Sequence, residues 1–132
     1  MNYTKDDKIL KYDEGKPEYS VLPYDAIEEV IQVFEYGADK YHAPLTYREG
    51  IPASKLVSAG IRHFVQWFYR REEEDHESGC HHLAHAAANA LMLLSMLRYN
   101  RLNPTVLDKI DNRPSSISLP STLPTEVKNG LL

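Results

Sequence analysis

The chain has 132 residues, 42% of them hydrophobic and 26% charged, with a formal net charge of −4 at neutral pH. That length and balance suit one globular domain, and an acidic chain with no basic tract excludes a duplex-binding surface. No run of about 18 apolar residues is present, so no membrane span is expected.

The opening Met1-Asn2-Tyr3-Thr4-Lys5-Asp6-Asp7-Lys8 lacks an apolar signal core, and the single cysteine, Cys80, has no intrachain partner. Both features predict a reducing, cytoplasmic setting. Residues 1 to 22 are polar, with turn chemistry at Asp13-Glu14-Gly15-Lys16-Pro17. A first helix is predicted from Pro23 or Tyr24 to about Tyr41, with Ile27, Val30, Ile31, Phe34 and Ala38 on its apolar side. Glu28, Gln32, Glu35 and Asp39 share one stripe of it, within about 60°. His42 to Pro52 reads as a loop. Ser54 is the expected N-cap of a second helix running to about Arg71. That helix is expected to bury Val57, Ile61, Phe64, Trp67 and Phe68, with Lys55, Arg62, Gln66 and Arg70 opposite and His63 at the edge.

The acidic segment Glu72-Glu73-Glu74-Asp75-His76-Glu77-Ser78-Gly79 reads as a solvated turn into a third helix, predicted from about Cys80 to near Asn100. Ala, Leu and Met dominate this helix, and no Gly or Pro interrupts it. Beyond Asn103 come Pro104, Pro114, Pro120 and Pro124 among Ser, Thr and Asn. The expected organisation is a helical domain over 1–102 and an extended or disordered tail over 103–132.

Chemistry concentrates on the third helix. His82, His85 and Asn89 fall within about 60° of one another, on a stripe that continues as Leu93 and Met96 and so points into the interior. Leu83, Leu91 and Leu94 make the other side apolar as well. Buried imidazoles and amides are expensive without partners, so three on one stripe point to a ligand or metal site. Three helices of this length cannot enclose a large core alone, and the spare apolar surface predicts a homo-oligomer, with a tetramer favoured.

Gly-rich phosphate loops, His-Glu-x-x-His, an adjacent His-Asp pair and a Ser nucleophile elbow are all absent. What remains is carboxylate and imidazole on helical stripes, with Lys16, Lys40, Arg62 and Arg70 as possible anion clamps. Clustered carboxylates repel unless a cation lies between them, and hard oxygen ligands favour Mg²⁺ or Mn²⁺. Glu28 and Glu35, at i and i+7, can reach one ion cluster, and Glu77 is a candidate ligand at the third helix start. His82 and His85 can ligate metal or bind phosphate, and Asn89 can read base or ribose. Cys80 reads as a packed residue. The competing reading is a zinc-binding interaction module without catalysis, drawing on Cys80, His81, His82 and His85 with His76 nearby.

Asp13-x-Gly15-Lys16-Pro17, Tyr36-Gly37-Ala38-x-Lys40-Tyr41, Arg62-His63, Glu77-Ser78-Gly79 and His82-Leu83-x-His85-Ala86-x-x-Asn89 occur in this order. Their spacing resembles that of the phage MazG-like dATP/dGTP diphosphohydrolases, among them the MazZ enzymes of phages that replace adenine with 2-aminoadenine. The resemblance runs roughly from residue 13 to 95. It implies an all-α, MazG-like NTP pyrophosphohydrolase bundle completed by oligomerisation, using divalent ions. It also implies hydrolysis of a purine deoxynucleoside triphosphate, dGTP and also dATP, to the monophosphate with release of pyrophosphate. In the MazZ setting the dGMP formed feeds synthesis of 2-aminoadenine nucleotide.

The wider MazG pattern carries Glu-x-x-Glu on one helix and Glu-x-x-Asp on the next. Here the second element stands as His82-x-x-His85 and the first is missing from the Arg62-His63 helix, so Glu28 and Glu35 are the expected substitutes. The expected site therefore has Glu35 and His85 as catalytic groups. Glu28, Glu35, Glu77, His82 and His85 are expected to ligate metal, and Lys16, Lys40, Arg62, His63 and Asn89 to bind substrate.

Overall fold

A computed structural model describes residues 11, 12 and 14–115 of the chain. Among the described residues there are four α-helices and no β-strand: α1 (Tyr24–Lys40), α2 (Ala53–Phe68), α3 (His82–Tyr99) and α4 (Pro104–Ile110). Short 3-10 turns at Tyr19–Val21 and Thr46–Glu49 complete the architecture. The central element is α3, against which α1, α2, α4 and the second 3-10 turn all pack. None of the described helices is long and apolar enough to cross a membrane.

The first helix begins behind Pro23 and ends on Lys40, a cation placed where the helix dipole favours one. Val30 and Val33 are its buried residues, with Phe34 packed beside them, while Ile31 stays 50% exposed. These valines meet Cys80, just ahead of α3, and Ala84 and Ala88 of α3, whose small side chains let α1 lie close. Cys80 is buried, as its reading as a packed residue requires.

The second helix departs from the sequence reading in two ways. Its N-cap is Pro52, which offers no side-chain cap, and Ser54 lies inside the helix. The Ser54 N–H is instead taken by Asn112 Oδ1 at 2.9 Å, while Asn112 Nδ2 donates to Ser54 Oγ at 2.7 Å. A helix start whose free N–H groups lack a local cap is thus served from the far end of the described chain. The apolar stripe, moreover, faces outward: Val57 is 49%, Ile61 57%, Phe64 54% and Phe68 66% exposed. The face turned to α3 carries Ala53, Leu56 and His63, all buried, and Gly60. Small groups there allow a close helix crossing, since a Cβ added at Gly60 would lie 3.7 Å from Asn89 Cβ.

The third helix starts at His82, two residues later than the composition suggested, and buries His82, Ala84, Ala86, Ala88, Asn89 and Met96. The inward stripe is as predicted. The opposite side is uncovered within the single chain, with Leu91 46% and Leu94 51% exposed.

The expected tail is corrected over its first residues. Pro104–Ile110 is a helix whose N-cap, Asn103, accepts a hydrogen bond from the Val106 N–H at 3.3 Å. Pro104 opens the first turn, where a missing N–H costs nothing. Ile110 and Met96 are fully buried and join Leu56 in a second core cluster, with Tyr47, Ile51, Met92, Leu93 and Val106 around it. Gly50, at φ +110°, permits this docking, because a Cβ there would sit 3.3 Å from Val106 Cγ1. The rest of the expected tail, from residue 116, lies outside the described residues. Ile110→Ala is expected to destabilise the domain by about 2–4 kcal/mol, the cost of a cavity at a buried aliphatic site. Urea unfolding measures it, and a loss below about 1 kcal/mol would mean that α4 is dispensable to the core.

Candidate functional site

Between α2 and α3 the acidic segment folds back on itself. The His82 N–H donates to Glu73 O at 2.9 Å, the Asp75 N–H to Cys80 O at 2.8 Å, and the Gly79 N–H to Asp75 O at 2.8 Å. Gly79 closes this turn at φ +73°, in the left-handed region that glycine enters without strain. The carboxylate of Asp75 is pinned by Ser78, whose N–H (2.9 Å) and hydroxyl (3.1 Å) both approach Oδ2. Asp75 is therefore no solvated turn residue; its side chain is 24% exposed. His81 caps α3, its Nδ1 accepting from the Leu83 N–H while Nε2 donates to Glu73, a carboxylate that the Trp67 indole also reaches.

Three imidazoles meet above this loop. His63 of α2 and His82 of α3, only 6% and 3% exposed, face each other Nδ1 to Nδ1 at 2.8 Å. The His63 ring also stacks on His85, with centroids 4.4 Å apart and planes 9° from parallel. His85 Nε2 lies 2.6 Å from Ser78 Oγ, so one serine links His85 to Asp75. The second ring nitrogen of His82, Nε2, is buried with no hydrogen-bond partner, and the Glu72 carboxylate stands 4.0 Å away.

His63, Asp75 and His82 each offer a ligand atom within 4.8 Å of the other two, and among the described residues no other such group forms. Two imidazoles, one of them with an orphaned buried nitrogen, and one carboxylate fit a divalent cation.

Electrostatics agree. Burial, reinforced by His85, Arg62 and His82, lowers His63 from 6.5 to about 4. Burial also lowers His85, against the upward pull of Asp75. Burial works to raise Asp75, but its two hydrogen bonds from Ser78 outweigh that and leave it below the usual carboxylate range. Neutral imidazoles beside an ionised carboxylate are the protonation states that metal ligands require.

The His63 shift has a consequence for the metal-free protein. Below 6.5 the unfolded chain protonates His63, whereas the fold keeps it neutral down to about 4. The unfolded state then binds more protons, so stability falls as pH drops through that window and this contribution is constant above it. The urea midpoint of the metal-free chain is expected to decline over this range, with a shallower decline in His63→Asn. Equal slopes would remove His63 as the cause.

A cavity of about 540 Å³ opens beside the histidines. Phe34, Tyr47, Leu56 and Met92 supply apolar wall, and Lys40, Arg62, His63, Asp75, Glu77, His85 and Asn89 supply polar groups. The structure thus brings together Lys40, Arg62, His63, Glu77, His85 and Asn89, with His82 directly behind His63. Asn89 is buried and its amide donates to His85 O at 2.8 Å.

The remaining expected residues stand apart within the single chain. Glu28 and Glu35 are exposed on α1 and do not line the cavity, because Val30 and Val33 set which side of that helix docks. Lys16 is exposed, its ammonium donating to Tyr12 O at 3.2 Å. Glu77 is occupied otherwise: its Oε1 accepts from Lys40 Nζ and Tyr36 Oη, each at 2.6 Å. Those bonds hold its carboxyl below the usual range and raise both donors.

Of the expected ligands only His82 belongs to this group, which His63 and Asp75 complete. The zinc set does not assemble either. Cys80 packs among Val30, Val33 and Ala84, His81 caps α3, and His76 is an exposed partner of Glu72. Asp75 was missed because a carboxylate in an acidic run reads as solvated. Its legible signal was Asp75-x-x-Ser78-Gly79, a serine three residues on that can bond the carboxylate and a glycine that can close the turn.

A protein-family model described as dATP/dGTP diphosphohydrolase, N-terminal, matches residues 6–104. A dATP/dGTP diphosphohydrolase of Salmonella phage PMBT28 is 34% identical over 100 residues, covering 76% of this chain and 32% of that protein. The chain thus spans about a third of the length of this curated relative. No solved structure matches it. Residues 6–104 of this chain, the range that the family model matches, include Arg62-His63, Asp75, Ser78-Gly79 and His82-x-x-His85, and by that match the chain belongs to the dATP/dGTP diphosphohydrolase family.

Proposed function

We propose that this domain hydrolyses purine deoxynucleoside triphosphates, dGTP and also dATP, to the monophosphate and pyrophosphate. The observation that carries the reading is the 540 Å³ cavity, whose lining combines apolar Phe34, Tyr47, Leu56 and Met92 with His63, Asp75, His85 and the cation Arg62. A pocket of that size and mixed lining suits a nucleotide. The name of the phage relative supplies the substrate class.

His63, Asp75 and His82 would hold a divalent ion. When bound, such an ion supplies Lewis acidity and neutralises phosphate charge. Arg62, and Lys40 once it exchanges Glu77 for phosphate, bind the triphosphate and stabilise charge on the departing pyrophosphate. His85 is neutral at pH 7 and fixed by Ser78, and it takes the proton of the attacking water. Water adds at the α phosphorus and the bond from that phosphorus to the bridging oxygen breaks. Pyrophosphate leaves, and His85 returns its proton to solvent. Phe34, Tyr47 and Met92 enclose the purine, with the Asn89 amide beside it.

In this reading the dGMP supplies 2-aminoadenine nucleotide synthesis in the cytoplasm of a phage-infected cell. The chain works as a homo-oligomer, a tetramer, whose contacts cover the outward stripe of α2. Incubation with dGTP and Mn²⁺ or Mg²⁺, with products resolved by ion-exchange chromatography, tests the reaction. Equal amounts of dGMP and pyrophosphate are expected. Intact dGTP at high enzyme concentration overturns the reading, and release of orthophosphate with dGDP overturns the assigned bond.

A further inference from the structure

We infer that His63, Asp75 and His82 form a binding site for a first-row transition-metal ion of the Mn²⁺, Fe²⁺, Co²⁺ and Zn²⁺ class, held in preference to Mg²⁺. The inference deepens the proposed reaction, since it names the ion class that reaction would use, but it stands on the donor set and not on turnover.

The donors are two imidazoles and a single carboxylate. Mg²⁺ prefers oxygen in a near-ideal octahedron and gives up its water reluctantly. Imidazole suits the transition ions, and two histidines with one carboxylate leave further positions open for water or phosphate. Among the described residues no group made of carboxylates alone assembles to offer Mg²⁺ oxygen ligands without imidazole. Glu28 and Glu35 face away on α1, and Glu77 is paired to Lys40 and Tyr36. The exposed carboxylates of the acidic loop assemble with no group of their own.

The burial of the histidines points the same way. Each ring directs one nitrogen at the other, at 2.8 Å, and the remaining nitrogen of His82 has no partner at 3% exposure. The His63–His82 contact can satisfy one nitrogen of each ring as a hydrogen bond, but the orphaned Nε2 of His82 is costly in a protein that holds no cation. Around a cation the same arrangement supplies lone pairs where they are needed. Asp75 arrives already oriented, because Ser78 gives its carboxylate two hydrogen bonds, the kind of outer support that fixes a metal ligand.

The full chain, stripped with EDTA, is titrated separately with Mn²⁺, Co²⁺, Zn²⁺ and Mg²⁺, read by calorimetry and by thermal shift without nucleotide. The expected result is one transition ion per chain, a raised Tm, and Mg²⁺ binding at least about a hundredfold weaker. Bound Mn²⁺ gives an electron spin-echo modulation from directly bonded ¹⁴N, which an all-oxygen site lacks. His63→Gln and Asp75→Asn each weaken Mn²⁺ binding by at least about tenfold, and having two variants guards against one failing to fold. Mg²⁺ binding as tight as Mn²⁺, no nitrogen coupling, or unchanged Mn²⁺ affinity in either folded variant overturns the inference. Hydrolysis of dGTP with Mg²⁺ and no transition-ion binding would sink this inference and leave the proposed reaction standing. Tight Mn²⁺ binding with dGTP left intact would support this inference and sink the reaction.

Discussion

Asp75→Asn is expected to lower dGTP turnover by at least about a hundredfold while the chain remains folded, in line with loss of a group that positions charge at the reacting centre. Asparagine has nearly the same volume and keeps an acceptor oxygen for the Ser78 N–H and hydroxyl, so the loop that carries it survives. What disappears is the negative charge that would hold a cation between His63 and His82. The loss should fall on kcat more than on KM, because Arg62 and the apolar wall that receive the substrate are untouched. His85→Ala should cost a similar factor. Asp75 and His85 share Ser78, so the double variant should be much less than additive. Steady-state kinetics on the two singles and the double, each checked by circular dichroism, decide this. Near-normal turnover in folded Asp75→Asn would return the loop to a purely structural role.

The proposed oligomer is expected to fall to single chains of 15.1 kDa in Phe64→Glu. Val57, Ile61, Phe64 and Phe68 lie at positions i, i+4, i+7 and i+11, a single face of α2, and each is about half exposed or more. Fully burying a side chain of this size contributes about 1.5–3 kcal/mol. Four half-buried ones on each of two copies therefore bring several kcal/mol to a symmetric contact. Leu91 and Leu94 of α3, also exposed, extend the available surface. A carboxylate at position 64 would have to be buried without a partner, at a cost larger than the contact can offset. The helix itself tolerates Glu, so helicity should be unchanged. Light scattering coupled to gel filtration reads the mass. A wild-type chain that is itself 15.1 kDa at all concentrations removes the premise.

What the sequence could reveal followed from which physical question each pattern answers. Periodicity answered where helices run and which stripe of α3 turns inward, and His82, His85 and Asn89 do lie there. It could not say which neighbour covers an apolar face. Val57, Ile61, Phe64 and Phe68 were expected inside, but α2 docks through Leu56, Gly60 and His63, because small groups let it approach α3 closely. The same blindness misplaced Glu28 and Glu35: their shared stripe was visible, and its position relative to the histidines depends on how α1 lands. Asn103-Pro104 falls in the segment expected to be an extended or disordered tail, although a capping side chain followed by proline also begins a helix. Asp75 is invisible to periodicity for another reason. Its aim comes from a turn of several residues closed by Gly79, not from any period.

The pair of hydrogen bonds between Asn112 and Ser54 gives the molecule a late step in its own assembly. A chain emerging from the ribosome makes α2 and α3 well before residue 112 is available, so the first turn of α2 begins life uncapped. His63 rides on that helix, whose Leu56 packs with Met96 and with Ile110 of α4. A product cut short of Ile110 would keep every histidine and still hold them loosely, so any assay of a shortened form would report the missing brace and not the chemistry.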